Sequence, residues 1–168
     1  GTYVSLVNDS GEWNGAYQSV PASAGQVYTA DGWFYVSSFE GIFGQTTCWL
    51  ELQFKNGGTP LALYKSYEIT NDTPQDVWFN LQITNGTAAG FAQLTTTNGT
   101  YLVAPPGTTG ASLQVTLHAV GGSAWVYYDD LRLMIKLPVT ATASVNGNNI
   151  NLSWPTQGGT SYQVVLML

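Results

Sequence analysis

The sequence predicts an all-β protein built as an antiparallel β-sandwich, and three observations carry that prediction. Short runs alternate apolar and polar residues with period two. Clusters of Gly, Asn and Pro separate the runs at near-regular spacing. No stretch has helical periodicity, and Thr, Val, Tyr and Trp abound where Ala, Leu, Glu and Lys are sparse.

The strands can be justified in chain order. Residues 2–7 form a first candidate, followed by a loop at 8–15 and a second strand at 16–20. The segment 26–38 places Tyr28, Ala30, Gly32, Phe34 and Val36 on one face and Asp31, Trp33, Tyr35 and Ser37 on the other. In 47–55, Cys48, Leu50, Leu52 and Phe54 oppose Trp49, Glu51, Gln53 and Lys55, and Asn56-Gly57-Gly58 then turns the chain. Strands at 61–70 and 77–84 follow, the latter setting Val77, Phe79, Leu81 and Ile83 against Trp78, Asn80 and Gln82. Segment 91–103 has a weaker pattern and ends at Pro105-Pro106-Gly107. In 111–119, Leu113, Val115 and Leu117 oppose Gln114, Thr116 and His118; Gly121-Gly122 leads into the closing strand at 123–133. The chain divides into a sandwich domain over 1–137 and a partial β segment over 138–168. Residues 139–145, 149–154 and 161–167 of that segment read as strands too few to enclose a core of their own.

Composition narrows the function. Only 8% of residues are charged, against about 25% in an average soluble domain. Yet 44% are hydrophobic and 13% aromatic, so the chain is not of the disordered type. Such a balance is expected of an extracellular protein, secreted or held at a cell surface. The net charge of −6, with Lys55, Lys65, Arg132 and Lys136 as the cations, argues against nucleic-acid binding. No apolar run reaches the ~18 residues of a membrane span, so no membrane insertion is expected. Cys48 is the single cysteine and reads as a small core residue; no His/Cys spacing suits zinc. Asn8, Asn71, Asn85, Asn98 and Asn151 match the N-glycosylation pattern, a frequent accident in an Asn- and Thr-rich chain.

The outward sets carry the residue types that recognise sugars. A sugar presents C–H patches on its ring faces and hydroxyls on its edges, so it calls for aromatic platforms beside amides and carboxylates. Trp33 and Tyr35 lie on one strand, Trp49, Glu51 and Gln53 on the next, Gln114 on another, and Trp125 or Tyr127 on the last. The expectation is that these strands adjoin in one sheet and form a groove for a glycan chain. Trp78 reads as an edge-packing residue, and Trp13 as packed within a loop.

Four segments resemble the jelly-roll carbohydrate-binding modules of families four, nine and twenty-two. They are Gly15-Ala16-Tyr17-Gln18-Ser19-Val20 with Ala24-Gly25-Gln26-Val27-Tyr28-Thr29, Gly32-Trp33-Phe34-Tyr35-Val36, Val103-Ala104-Pro105-Pro106-Gly107, and Val126-Tyr127-Tyr128-Asp129-Asp130-Leu131-Arg132-Leu133. The resemblance implies a jelly-roll fold, a non-catalytic polysaccharide- or oligosaccharide-binding role, and a structural calcium held by Asp130. The loop at 8–15, through Glu12, is a candidate source of a further ligand. These modules usually open with a strand carrying a Phe-Glu pair, ahead of the segment with which this sequence begins. Either it was cut away or another segment supplies it, with residues 139–167 of a neighbouring molecule as a candidate for self-association. Ile150-Asn151-Leu152-Ser153-Trp154-Pro155 and Thr160-Ser161-Tyr162-Gln163-Val164 resemble the start of a fibronectin type III or immunoglobulin-like domain.

Catalysis is not expected. No motif flags a pair of carboxylates at glycosidase spacing, and neither a Gly-x-Ser-x-Gly elbow nor an HExxH motif is present. A jelly-roll lyase would need His118 near Tyr127, with Arg132 the one arginine to help. The alternative to glycan binding is a building block of an extracellular surface layer, adhesin or fibre.

Overall fold

A computed structural model describes residues 4–8, 13–83, 102–136, 142–146 and 149–153. Every regular element among them is a strand. Sheet A orders β1 (Val4–Asn8), β9 (Ala124–Lys136), β3 (Val27–Tyr35) and β6 (Trp78–Gln82), with the short β7 (Leu102–Val103) also on β3. Sheet B orders β2 (Trp13–Pro21), β8 (Gly110–His118), β4 (Thr47–Asn56) and β5 (Thr59–Lys65). All pairings are antiparallel. An order of 1-9-3-6 facing 2-8-4-5 is the jelly-roll arrangement, in which the chain crosses repeatedly between the sheets while β4 and β5 stay together in sheet B. Among the described residues no helix is long and apolar enough to cross a membrane.

The alternation seen in sequence becomes the core. Cys48, Leu50, Leu52 and Phe54 of β4 are fully buried, as are Tyr28 and Phe34 of β3 and Val115 and Leu117 of β8. Phe54 is the hinge of this packing. Its ring lies 5.4 Å from Tyr28 across the sandwich and 6.0 Å, edge on, from Tyr64 of β5. Each such ring contributes about 1.5–3 kcal/mol through burial alone. Burial also pushes the Cys48 thiol far above its usual range, which suits a core residue and not a nucleophile.

Two local devices fix the register. Gly57-Gly58 closes β4 onto β5 as a two-residue hairpin between Asn56 and Thr59, with Gly57 at φ +57°, where a side chain is disfavoured. A bulge interrupts the β3–β9 ladder between Asp31 and Trp33, and Asp130 opposite takes φ +49°. Before the bulge, Ala124, Val126 and Tyr128 face inward; after it, Leu131 and Leu133 pack against the core. Trp125 and Tyr127 precede the bulge and therefore share the outward side.

Several expectations change. The first candidate strand, read at residues 2–7, is β1, and it takes the edge position beside β9. Strand β2 starts at Trp13, so that residue is not in a loop. The strand expected at 61–70 ends at Lys65. Ser66 then exchanges hydrogen bonds with Leu50 through its own N–H and its hydroxyl, and Ile69 rejoins the sheet by a single bridge to Cys48. Of the strand expected at 91–103, only Leu102–Val103 falls within the described residues.

The chain separates into two compact units, residues 1–136 and 137–168. The described part of the second is an antiparallel hairpin of β10 (Thr142–Asn146) and β11 (Asn149–Ser153).

Candidate functional site

The outward residues of the two sheets form two separate surfaces. This corrects the expectation of a single groove. Trp49, Glu51, Gln53 and Gln114 lie on sheet B, whereas Trp33, Tyr35, Trp125 and Tyr127 lie on sheet A.

Sheet B is organised around Glu51. Its register places Gln114 of β8 and Lys65 of β5 on either side. Although on the outer side, Glu51 is only 5% exposed. Its carboxylate accepts the indole N–H of Trp49 at 3.0 Å, the amide of Gln53 at 2.6 Å and the amide of Gln114. A buried carboxylate needs such donors to offset its lost hydration. Trp49 is likewise sunk, at 7% exposure, with the Lys65 ammonium 5.1 Å above its ring and the Trp13 ring edge on at 5.7 Å. Lys65 in turn pairs with Glu68 at 2.5 Å. Trp49 is therefore a floor residue and not the platform the sequence suggests.

The exposed aromatics of this face sit on the edge strand. Trp13 is 64% exposed and Tyr17 73% exposed. Both share one side of β2, about 13 Å apart along the strand by the usual rise. Gly15 stands between them, paired with Thr116, and a Cβ there would come within 2.4 Å of the Val115 carbonyl oxygen. Trp13 is held in place by stacking on His118, with centroids 4.0 Å apart and planes 13° from parallel. Lys55 reaches over Tyr17 at 5.9 Å. The result is two exposed rings on one side of β2 with Gly15 between them, beside the hydrogen-bonded amides of Gln53 and Gln114. Period two from Trp13 through Gly15 to Tyr17 was the signal for this pair; assigning residues 8–15 to a loop concealed it.

Sheet A has a different character. Register sets Trp78 of β6, Tyr35 of β3 and Tyr127 of β9 in one row. Tyr35 lies 5.5 Å from Trp78 and 5.9 Å from Tyr127, centroid to centroid. These rings and Ser37 line an open depression of about 400 Å³. Tyr35 donates its phenol proton to Asp76 at 3.2 Å, and Tyr127 donates to Glu40. The next row is Asn80, Trp33 and Asp129. Trp33 is 39% exposed. Beyond it Asp31 receives Arg132 at 2.6 Å and the Asn80 amide at 3.2 Å. Trp78, Glu40 and Asp76 were not foreseen as part of this surface. The last two come from loops, where strand periodicity gives no signal.

No family model matches the sequence, and no curated protein matches it. Solved structures do. TmCBM61 in complex with β-1,4-galactotriose is 17% identical, with a TM-score of 0.46, covering 80% of this chain and 70% of that one. The infectious bursal disease virus Gt strain structure is 9% identical at TM-score 0.47, covering 79% of this chain and 28% of the viral one. The Gx strain structure gives 9%, 0.43, 79% and 29%. What the chain binds has to be read from its own side chains.

The remaining candidates resolve as follows. Trp125 is half-buried on the outer side of sheet A, and its backbone N–H bonds to Gly41. His118 and Tyr127 belong to opposite sheets, so no lyase-like pair forms. Glu12 lies outside the described residues. The carboxylate of Asp130 is exposed and stands 3.8 Å from the Arg132 guanidinium. Of the two residues expected to hold calcium, Asp130 is the one within the described residues. Among the described residues no group of three or more His, Cys, Asp or Glu suits a metal.

Proposed function

We propose that the protein binds carbohydrate through the outer face of sheet B, with Trp13 and Tyr17 as stacking platforms. The observation that carries this reading is the pair of exposed rings on one side of β2, separated by Gly15, beside a network of amides. Large aromatics are not needed on a solvated strand face, and sugar rings offer the C–H surfaces they can cover. The floor suits the rest of a sugar. Gln53, Gln114 and Thr116 supply uncharged donors and acceptors, and Glu51 holds both glutamine amides in place, so little order has to be imposed on binding. Trp49 is part of this floor, bonded to Glu51 on the same side of β4. The role is non-catalytic: the face tethers whatever is attached to it to a polysaccharide and raises the local concentration. That use fits the low-charge, aromatic composition expected of a secreted or cell-surface protein.

Affinity electrophoresis against a panel of soluble polysaccharides tests the proposal. A retained wild-type protein should lose roughly tenfold in affinity with Trp13→Ala or with Tyr17→Ala, the equivalent of ~1.4 kcal/mol each. Retention unchanged in the double variant would discard this face as the site.

A further inference from the structure

We propose that the outer face of sheet A carries a second, independent site, which takes an organic ammonium group in the depression lined by Tyr35, Trp78 and Tyr127. The first support is geometric. Three rings from three adjacent strands meet in one row around an open space of about 400 Å³. A cation within about 6 Å of such ring faces is attracted by their quadrupoles, with tryptophan the strongest of the three types.

The second support is how the phenols are used. Both hydroxyls of the row donate to carboxylates, Tyr35 to Asp76 and Tyr127 to Glu40. A phenol that donates to an anion becomes richer in π density, which strengthens its hold on a cation. These hydroxyls are also engaged already, so the row offers ring surface and negative charge in place of free hydroxyl donors. A neutral sugar gains less from that combination than a cation does.

The third support is the field. Asp31, Glu40, Asp76, Asp129 and Asp130 belong to this surface or its rim, and among the described residues Arg132 is the cation beside them. Arg132 is itself engaged by Asp31 and Asp130. The surplus is negative, and Glu40 and Asp76 place part of it directly at the aromatic row. Sheet B shows the opposite pattern, with Lys55 and Lys65 set over its rings.

Two sources offer the same chemistry: a free quaternary ammonium of the choline type, and the protonated amine of an amino sugar within a glycan. Tryptophan fluorescence or ligand-observed NMR titrations with choline, glucosamine and chito-oligosaccharides freed of acetyl groups separate them. Glucose and N-acetylglucosamine serve as neutral controls. Saturable binding of choline alone assigns the free cation. Tighter binding of the amino-sugar oligomer assigns the glycan. In either case Trp78→Ala should weaken binding about tenfold or more, and Glu40→Gln, which keeps the shape, should weaken it several-fold. Trp13→Ala should leave choline binding unchanged. The proposal is overturned if neutral controls bind as well as the cations, if no cation binds, or if Glu40→Gln, shown folded by its circular dichroism, binds undiminished.

Discussion

The two outer faces of this sandwich begin from the same strand alternation and use their carboxylates in opposite ways. On sheet B the acid is sunk. Glu51 lies beneath the surface, surrounded by donors from Trp49, Gln53 and Gln114, while cations stand over the aromatic rings. On sheet A the acids sit at the rim. Glu40 and Asp76 accept hydrogen bonds from the phenols of Tyr127 and Tyr35, and the rings form the floor. A carboxylate enclosed by donors is a scaffold that fixes its neighbours. A carboxylate at the edge of a depression projects its charge into it. The two faces are thus expected to differ both in what they bind and in how much the fold depends on them.

The largest test of that difference is a pair of substitutions. Glu51→Ala leaves an indole N–H and two amides without their acceptor in a buried place. The loss should be ~3 kcal/mol in urea unfolding, because several charge-assisted bonds go at once. Glu40→Ala removes one hydrogen bond from a half-buried phenol, and should lower stability by about 1 kcal/mol or less. Equal losses in the two variants would break the distinction between scaffold and rim.

Much of this was legible in the sequence, for a reason that also explains what was not. Period two fixes which side of a strand a residue takes, so the inward set of Cys48, Leu50, Leu52 and Phe54 and the outward set of Trp49, Glu51 and Gln53 were readable from residue types alone. Period two says nothing about which strands adjoin. Gln114 meets Glu51 because β8 pairs with β4, and Tyr127 meets Tyr35 because β9 pairs with β3. Those pairings are long-range, and the chain crosses repeatedly between the two sheets, so a single groove was the wrong sum of correct parts. Burial within an outward set was also hidden. Trp49 is covered by Trp13 and Lys65, residues far from it in sequence. The acids that shape sheet A come from loops.

A smaller effect sharpens the account of sheet B. Ser112 lies one alternation step from Gln114, opposite Ser19 on one side and Gln53 on the other. It is fully buried, and its hydroxyl finds no partner among the described residues. Replacing an unsatisfied buried hydroxyl by a methyl removes a desolvation penalty. Ser112→Ala should therefore raise the unfolding free energy by about 1 kcal/mol, seen as a higher urea midpoint at constant slope. A loss of stability would mean that the hydroxyl is bonded in solution, and that the floor beside Trp13 and Tyr17 includes a water-linked group.

The smallest expected effect concerns the rim of sheet A and its dependence on pH. Ser38, through its hydroxyl and its backbone N–H, holds the Asp76 carboxyl below the usual carboxylate range, and the Tyr35 phenol adds to this. A depressed folded-state value stabilises the protein where the unfolded carboxyl is already ionised, and this contribution fades as pH falls through the folded value. The fading should thus begin near the ordinary aspartate value of 3.8 and be complete only below the folded value. Asp76→Asn isolates the contribution. The residue takes φ +60°, which asparagine tolerates as aspartate does, so the backbone should hold. Thermal unfolding followed from about pH 6 to about pH 2 should show a shallower acid slope in the variant, with little difference at the lowest pH, where both side chains are neutral. Because the same substitution takes one negative charge from the depression, it should also weaken ammonium binding on sheet A while leaving polysaccharide retention by sheet B as it was. A parallel loss on both faces would show that the two surfaces communicate through the core, and that their opposite use of carboxylates does not make them independent.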